Sequence, residues 1–375
     1  LSLGIVYGDA FQEYDFGPSH PLKPIRLKLT FELMKAVNLL ASSNVKVSEP
    51  RAATRDELAL FHEDEYINLV EKVSRSGEGF LDMGDTPAFK GCYQSSALAV
   101  GASLAAVDLV MSGQVSYAMN ISGGLHHAHP GQASGFCIFN DPAISIAYLK
   151  KKYGINRLLY LDVDAHHGDG VMYGFYSDAG VLDIDFHEDG RHLFPGTGFT
   201  DEVGEGKASG IKINIPLSPF TGDKPYLELF REIVPTVVRQ YKPEILLLQC
   251  GADSHANDLL AHLQLTTQTY DEVATTVKQL AHEVANGRLV VFGGGGYNIA
   301  NVVRAWTSVA SVLADYHPTK IPGDWQKLFE ALIGEKAPDS LSSEGEATHQ
   351  LSQDAMLKQR DGILTELKRR IPALA

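Results

Sequence analysis

The chain has 375 residues, 44% of them hydrophobic, and a formal net charge of −14. That content suffices for a sizeable core, and the acidic balance excludes the basic footprint that nucleic-acid phosphates demand. Its three cysteines, Cys92, Cys137 and Cys250, lie far apart with no Cys-x-x-Cys spacing. This excludes a disulfide framework or cysteine zinc site and points to a reducing, cytoplasmic setting.

Apolar, β-branched runs predict strands at 3–7, 115–121, 157–163, 181–186, 211–215, 244–249 and 288–292. Helical patterns fall between them at 25–40, 55–75, 94–112, 142–152, 224–241, 268–286 and 298–313. Short buried strands alternating with helices predict an α/β fold, an open and mainly parallel sheet with helices on both faces. No apolar run is read as long enough to span a bilayer, and no signal peptide is read. Residues 1–330 are expected to form one domain. Residues 331–375 are read as a linker, solvated over 335–350, and a C-terminal helical tail with a helix at 353–370. Two long loops, 76–91 and 187–210, are expected to form functional rims.

Four strand ends carry residues suited to metal binding or proton transfer. They are Ser-Gly-Gly-Leu-His-His (122–127), Asp-Val-Asp-Ala-His-His-Gly-Asp (162–169), Gly-Ala-Asp-Ser-His (251–255) and Gly-Gly-Gly-Gly-Tyr (293–297). Ligands of an open parallel sheet bind at the carboxyl ends of its strands, so the four can meet in one crevice. Period-two alternation sets Asp162, Asp164 and His166 on one side. Alone, this run reads equally as an Asp-rich turn with a buried histidine. Asp253, stranded after an apolar strand, is either a helix N-cap or a third ligand. Asp164, His166 and Asp253 would hold a divalent ion and leave a position open. Two carboxylates make the donor set hard enough for Fe²⁺ or Co²⁺ as well as Zn²⁺. His126 and His127 are a solvated pair or a proton-transfer pair, with Asp162 and Asp169 free to orient the imidazoles. The four glycines before Tyr297 form a hinge or a loop that aims its hydroxyl at a metal-bound carbonyl. His187–His192 resembles a zincin helix, but its second histidine comes one residue late and Gly190 interrupts it.

Together with Gly-Phe-Cys-Ile-Phe-Asn-Asp (135–141) and Leu-Phe-Pro-Gly-Thr-Gly (193–198), these motifs resemble the zinc-dependent histone deacetylase family, especially its bacterial acetoin-utilisation branch. The likeness covers roughly residues 4–315. It implies an arginase-like parallel sheet of about eight strands and hydrolysis of acetyl-lysine amides in proteins, with release of acetate. It implies Asp164, His166 and Asp253 as zinc ligands, and His126 and His127, backed by Asp162 and Asp169, as the catalytic pair. Tyr297 matches the oxyanion-stabilising tyrosine. Phe136 and Phe194 match the walls of an acyl-lysine tunnel, and Gly135 and Gly295 match positions in the substrate site. Asp85 resembles the residue that anchors the substrate backbone, and Arg26 the arginine of an internal acetate channel. A structural K⁺ is also implied, although Asp185 stands where the family usually has a serine. The implied partner is an acetyl-lysine protein or peptide, acetyl-CoA synthetase being the target suggested for that branch. Neither nucleic acid nor membrane is expected as a partner, and the oligomeric state is open.

Three other readings differ in class. An arginase-type ureohydrolase needs two Mn²⁺ ions, but Gly168 and His255 replace two of its carboxylates. An acetylpolyamine amidohydrolase suits the acidic charge but needs a longer insertion than residues 11–24 provide. A non-enzymatic acyl-lysine reader would not need every ligand, both histidines and Tyr297.

Overall fold

A computed structural model describes residues 2–318, 320–343, 345–347 and 352–375. Among the described residues eight strands form one sheet: β1 (Leu3–Val6), β2 (Val45–Ser48), β3 (Tyr117–Asn120), β4 (Leu158–Asp162), β5 (Val181–Glu188), β6 (Lys212–Leu217), β7 (Leu246–Gln249) and β8 (Leu289–Phe292). Their order is β2-β1-β3-β8-β7-β4-β5-β6, and every pairing is parallel. This is the arginase- and deacetylase-like α/β arrangement. All strands except β2 are buried along their whole length. That is why they read as continuous apolar runs.

Two separate chains of packed helices cover the sheet. Ile25–Ala36 packs on Ile299–Leu313, which packs on Thr267–Val284, which packs on Asp223–Tyr241. Cys92–Met111 packs on Asp64–Ser76 and Asp141–Tyr153 and lies against β1, β3 and β8. Contrary to the sequence reading, Cys92–Met111 has the length and apolar content to cross a bilayer, but 72% of its apolar window is buried inside the fold. Its small residues, Ala97, Ala99, Gly101, Ala102 and Ala106, are buried as well.

The expected 55–75 helix is two helices, Arg55–Leu58 and Asp64–Ser76. Thr54 and Glu57 form a capping box that starts the first. Strand β2 and helix Gly323–Ile333 were not read from the sequence. The solvated-linker reading of 335–350 is corrected over its described part: Ala337, Leu341 and Ser343 are buried. Ser343 is fixed by the backbone N–H of Thr267 at 2.9 Å and by His255 Nε2 at 2.7 Å. Helix Gln353–Arg370 then packs on β6 and on Asp223–Tyr241, covering a sheet edge that would otherwise present unpaired backbone groups.

Candidate active site

The four motif-bearing strands are neighbours at the centre of the sheet, in the order β3-β8-β7-β4. Their carboxyl ends therefore open onto one crevice. It is lined by Gly124, Leu125, His126, His127, Gly135, Phe136, Asp164, His166, Gly295 and Tyr297, with Leu22 and Arg26 at its inner end.

Asp164, His166 and Asp253 place one ligand atom each within 4.8 Å of one another, and all three are buried. His166 Nδ1 lies 3.2 Å from Asp164 Oδ1 and 3.0 Å from Asp253 Oδ2. Each carboxylate is also held from outside. Asp164 Oδ2 accepts from Gln249 Nε2 and from the Gly295 N–H, both at 2.8 Å. Asp253 Oδ1 accepts from the Ala165 N–H at 2.9 Å. Gly295 has to be glycine: a Cβ there would stand 1.9 Å from Asp253 Oδ2. Burial and the Asp164 charge push Asp253 up to about 7. Burial opposes ionisation of Asp164 too, but His126 and His166 beside it hold it well below the usual carboxylate range. Two buried carboxylates turned toward one imidazole form a donor set that a divalent cation satisfies, and the residues present fit one.

Both histidines of the tandem are backed by a buried carboxylate. His126 Nδ1 is 2.8 Å from Asp162 Oδ2, and His127 Nδ1 is 2.7 Å from Asp169 Oδ1. The two Nε2 atoms face each other at 3.1 Å. Their environments push the pair apart. Burial disfavours charge on His126, but Asp162 and Asp164 overcome it and raise its pKa to about 10. Burial and the neighbouring His126 charge lower His127 to about 4. The surroundings thus favour the charged form of His126 and the neutral form of His127, whose Nε2 lone pair faces His126 Nε2. His129 Nε2 reaches the second oxygen of Asp169 at 3.2 Å, and Tyr160 donates to Asp162 Oδ2 at 2.6 Å. Sequence reasoning singled out none of Gln249, His129 and Tyr160.

The aromatic residues lie above this layer. Phe194 stands edge-on to His127 with ring centres 5.0 Å apart, and Phe136 meets Tyr297 at 5.9 Å. Gly135 has φ +52°, and a Cβ there would strike the His127 ring at 2.5 Å and Phe194 at 2.9 Å. Asp85 is exposed on the rim, not within the crevice. Its carbonyl meets His20 Nε2 at 3.3 Å, and the His20 ring packs on Phe136 at 4.5 Å. Arg26 is buried, donates to the Gly296 carbonyl at 3.0 Å and lies over the Trp306 ring. Together with Leu22 and Leu125 it lines a second cavity that continues inward past Phe11, Tyr14 and Ser122. Asp185, opposite Asp162 in the β4–β5 register, accepts from the Gly168 N–H at 2.7 Å and contacts His187 Nδ1 at 2.6 Å.

Comparison with known proteins agrees with this geometry. The histone deacetylase domain matches residues 20–313. The chain is 42% identical over 329 residues to the acetoin utilization protein AcuC of Bacillus subtilis (strain 168), covering 85% of this chain and 84% of that protein. It is 41% identical over 351 residues to AcuC of Staphylococcus aureus (strain MSSA476), covering 90% of each, and 39% identical over 342 residues to AcuC of Staphylococcus xylosus. With the domain match, that identity and this central crevice in agreement, the chain belongs to the histone deacetylase family, in its AcuC branch.

Proposed function

We propose that the chain is a zinc-dependent protein deacetylase that hydrolyses the acetyl amide of lysine side chains. One observation carries this reading. The Asp164–His166–Asp253 donor set and two carboxylate-backed histidines share one buried crevice beneath an aromatic entrance. A zinc ion held by Asp164, His166 and Asp253, with Fe²⁺ and Co²⁺ as alternatives, would supply a Lewis acid that lowers the pKa of water and polarises an amide carbonyl.

The remaining steps belong to the protein's own groups. His127, neutral and oriented by Asp169, takes a proton at Nε2 as water attacks and returns it to the departing amine. His126, held at Nδ1 by Asp162, lies beside His127 and supports the developing charge electrostatically. The Tyr297 hydroxyl donates to the developing oxyanion. Phe136 and Phe194 flank the aliphatic lysine stem, and the backbone at Gly135 and Gly295 lines its inner end. Asp85 holds the substrate main chain at the rim, and Arg26 attracts acetate toward the inner cavity.

A structural potassium ion is proposed on narrower grounds. Asp162 and Asp185 are register partners on adjacent strands, and among the described residues neither carboxylate oxygen of the buried Asp183 has a hydrogen-bond partner. Asp185 is already engaged by His187 and Gly168, so the donor set differs from a serine-based site.

An acetylated metabolic enzyme such as acetyl-CoA synthetase is as reasonable a substrate as a histone, the similar proteins being named for acetoin utilisation. Comparing kcat/KM for an acetyl-lysine peptide and for acetylspermidine tests the substrate class. The peptide is expected to be preferred, and a preference for the polyamine would overturn that assignment.

A further inference from the structure

Tyr297 can act only if its hydroxyl is held at a fixed distance from the metal ligands. The segment before it works against this, because Gly293–Gly296 has four glycines, and Gly294 and Gly296 stand at φ +138° and +130°. Such a run permits wide backbone motion. Gly295 is tied down by Asp164 and, through its carbonyl, by the Ala252 N–H at 2.8 Å, and the turn at Tyr297 itself is held by a residue outside the motifs quoted above. Asp258 Oδ2 accepts the backbone N–H groups of Tyr297, at 2.8 Å, and Asn298, at 3.2 Å. Its other oxygen accepts the Leu260 N–H at 2.9 Å. Asp258 closes the loop that begins at the ligand Asp253, its own N–H donating to the His255 carbonyl at 3.2 Å. The two loops are joined again where Asn298 Nδ2 donates to the Asn257 carbonyl at 3.1 Å. On the far side, Arg26 holds the Gly296 carbonyl at 3.0 Å.

We propose that Asp258 is a positioning residue that locks the Tyr297 turn to the metal-ligand loop and so fixes the tyrosine hydroxyl over the reacting carbonyl. This rests on the deacetylase reading given above. A carboxylate suits the role because one oxygen serves two adjacent N–H groups with charge-assisted bonds. Loss of the lock lets the turn shift. A displacement of about 1 Å from the productive position costs on the order of 10²-fold in rate.

The test is a cycle of Asp258→Ala and Tyr297→Phe with zinc-loaded full-length protein and an acetyl-lysine peptide. In the wild-type background, Asp258→Ala is expected to lower kcat about 10–100-fold. KM and metal content should change little. Asp258→Asn, whose amide oxygen still accepts, should recover most of the loss. In the Tyr297→Phe background, Asp258→Ala should lower kcat by less than about twofold, because there is no hydroxyl left to misplace. An equal loss in both backgrounds would make Asp258 a general structural residue and overturn the proposal, as would wild-type kcat in Asp258→Ala. Should Asp258→Ala not fold, Asp258→Ser, too short to reach both amides, carries the same comparison. Hydrogen exchange at the Tyr297 and Asn298 amides gives a readout independent of catalysis. If the wild-type protein releases no acetate, the deacetylase reading fails. Faster exchange at these two amides in the variant would still report the lock, and unchanged exchange would remove it.

Discussion

Replacing Asp169 by asparagine tests the division of labour between the two histidines. Asp169 is buried, and its Oδ1 lies 2.7 Å from His127 Nδ1. His127 and His129 share its two oxygens and hold its pKa well below the usual carboxylate range, against the opposing effect of burial. The substitution removes the charge without changing the shape. A hydrogen bond to a charged group is worth about 1.5–3 kcal/mol. At about 1.36 kcal/mol per decade this corresponds to about 10–150-fold in rate. If the new amide turns its NH₂ group to His127, the ring proton moves to Nε2, and the atom that should accept from water can no longer do so. The combined loss then reaches about 10⁴-fold, the scale known for a miswired His–Asp pair. The assay is kcat at saturating acetyl-lysine peptide, with zinc content and affinity for a hydroxamate chelator as controls. A kcat within about threefold of wild type, with metal retained, would refute His127 as the proton acceptor.

Further expectations concern the metal set, the C-terminal segment and pH. Asp253→Asn should lose most bound zinc on dialysis, because one of only two carboxylates in the donor set is gone; metal analysis checks this directly. Ser343→Ala should destabilise the fold by about 2–4 kcal/mol, since the Thr267 N–H and His255 Nε2 would both be left buried and unpaired. Urea titration reads that loss. Burial lowers His62 to about 4 from its ordinary 6.5, and its Nε2 accepts the Asn140 N–H at 2.9 Å. A folded pKa below the unfolded one gives stability that is present above pH about 6.5 and lost as pH falls toward about 4. That lowering is worth about 3 kcal/mol, so His62→Gln should flatten the acid limb of stability against pH.

The sheet was legible where its strands are buried on both faces, because such strands are continuous apolar runs. Strand β2 escaped notice because Val45-Lys46-Val47-Ser48 lies at an edge with every residue partly or fully exposed. The helix Cys92–Met111 was read as a helix, but its capacity to span a membrane was missed. Alanines and glycine that allow close packing against a sheet also make a long helix uniformly apolar. That the Asp164–His166, Asp253 and tandem-histidine motifs meet in one crevice could be read because each is contiguous and follows a strand. Gln249 carried a weaker signal, a polar side chain closing the run Leu246-Leu247-Leu248, and a buried amide there required a partner such as Asp164. Ser343 gave no local signal. Its burial depends on His255 and Thr267, more than seventy residues away, and Ser-rich composition reads as solvated when such partners are unseen. Asp258 was hidden for the same reason, since its function lies in backbone groups of a distant turn.

Metal-dependent deacetylation is tested by acetate release from an acetyl-lysine peptide with protein stripped of metal and then reloaded with zinc. A metal-dependent deacetylase gives no release when stripped, restored turnover on adding zinc, and suppression of that turnover by a hydroxamate chelator. Turnover that persists without metal, or zinc-loaded protein that binds the peptide and releases no acetate, would contradict metal-dependent deacetylation.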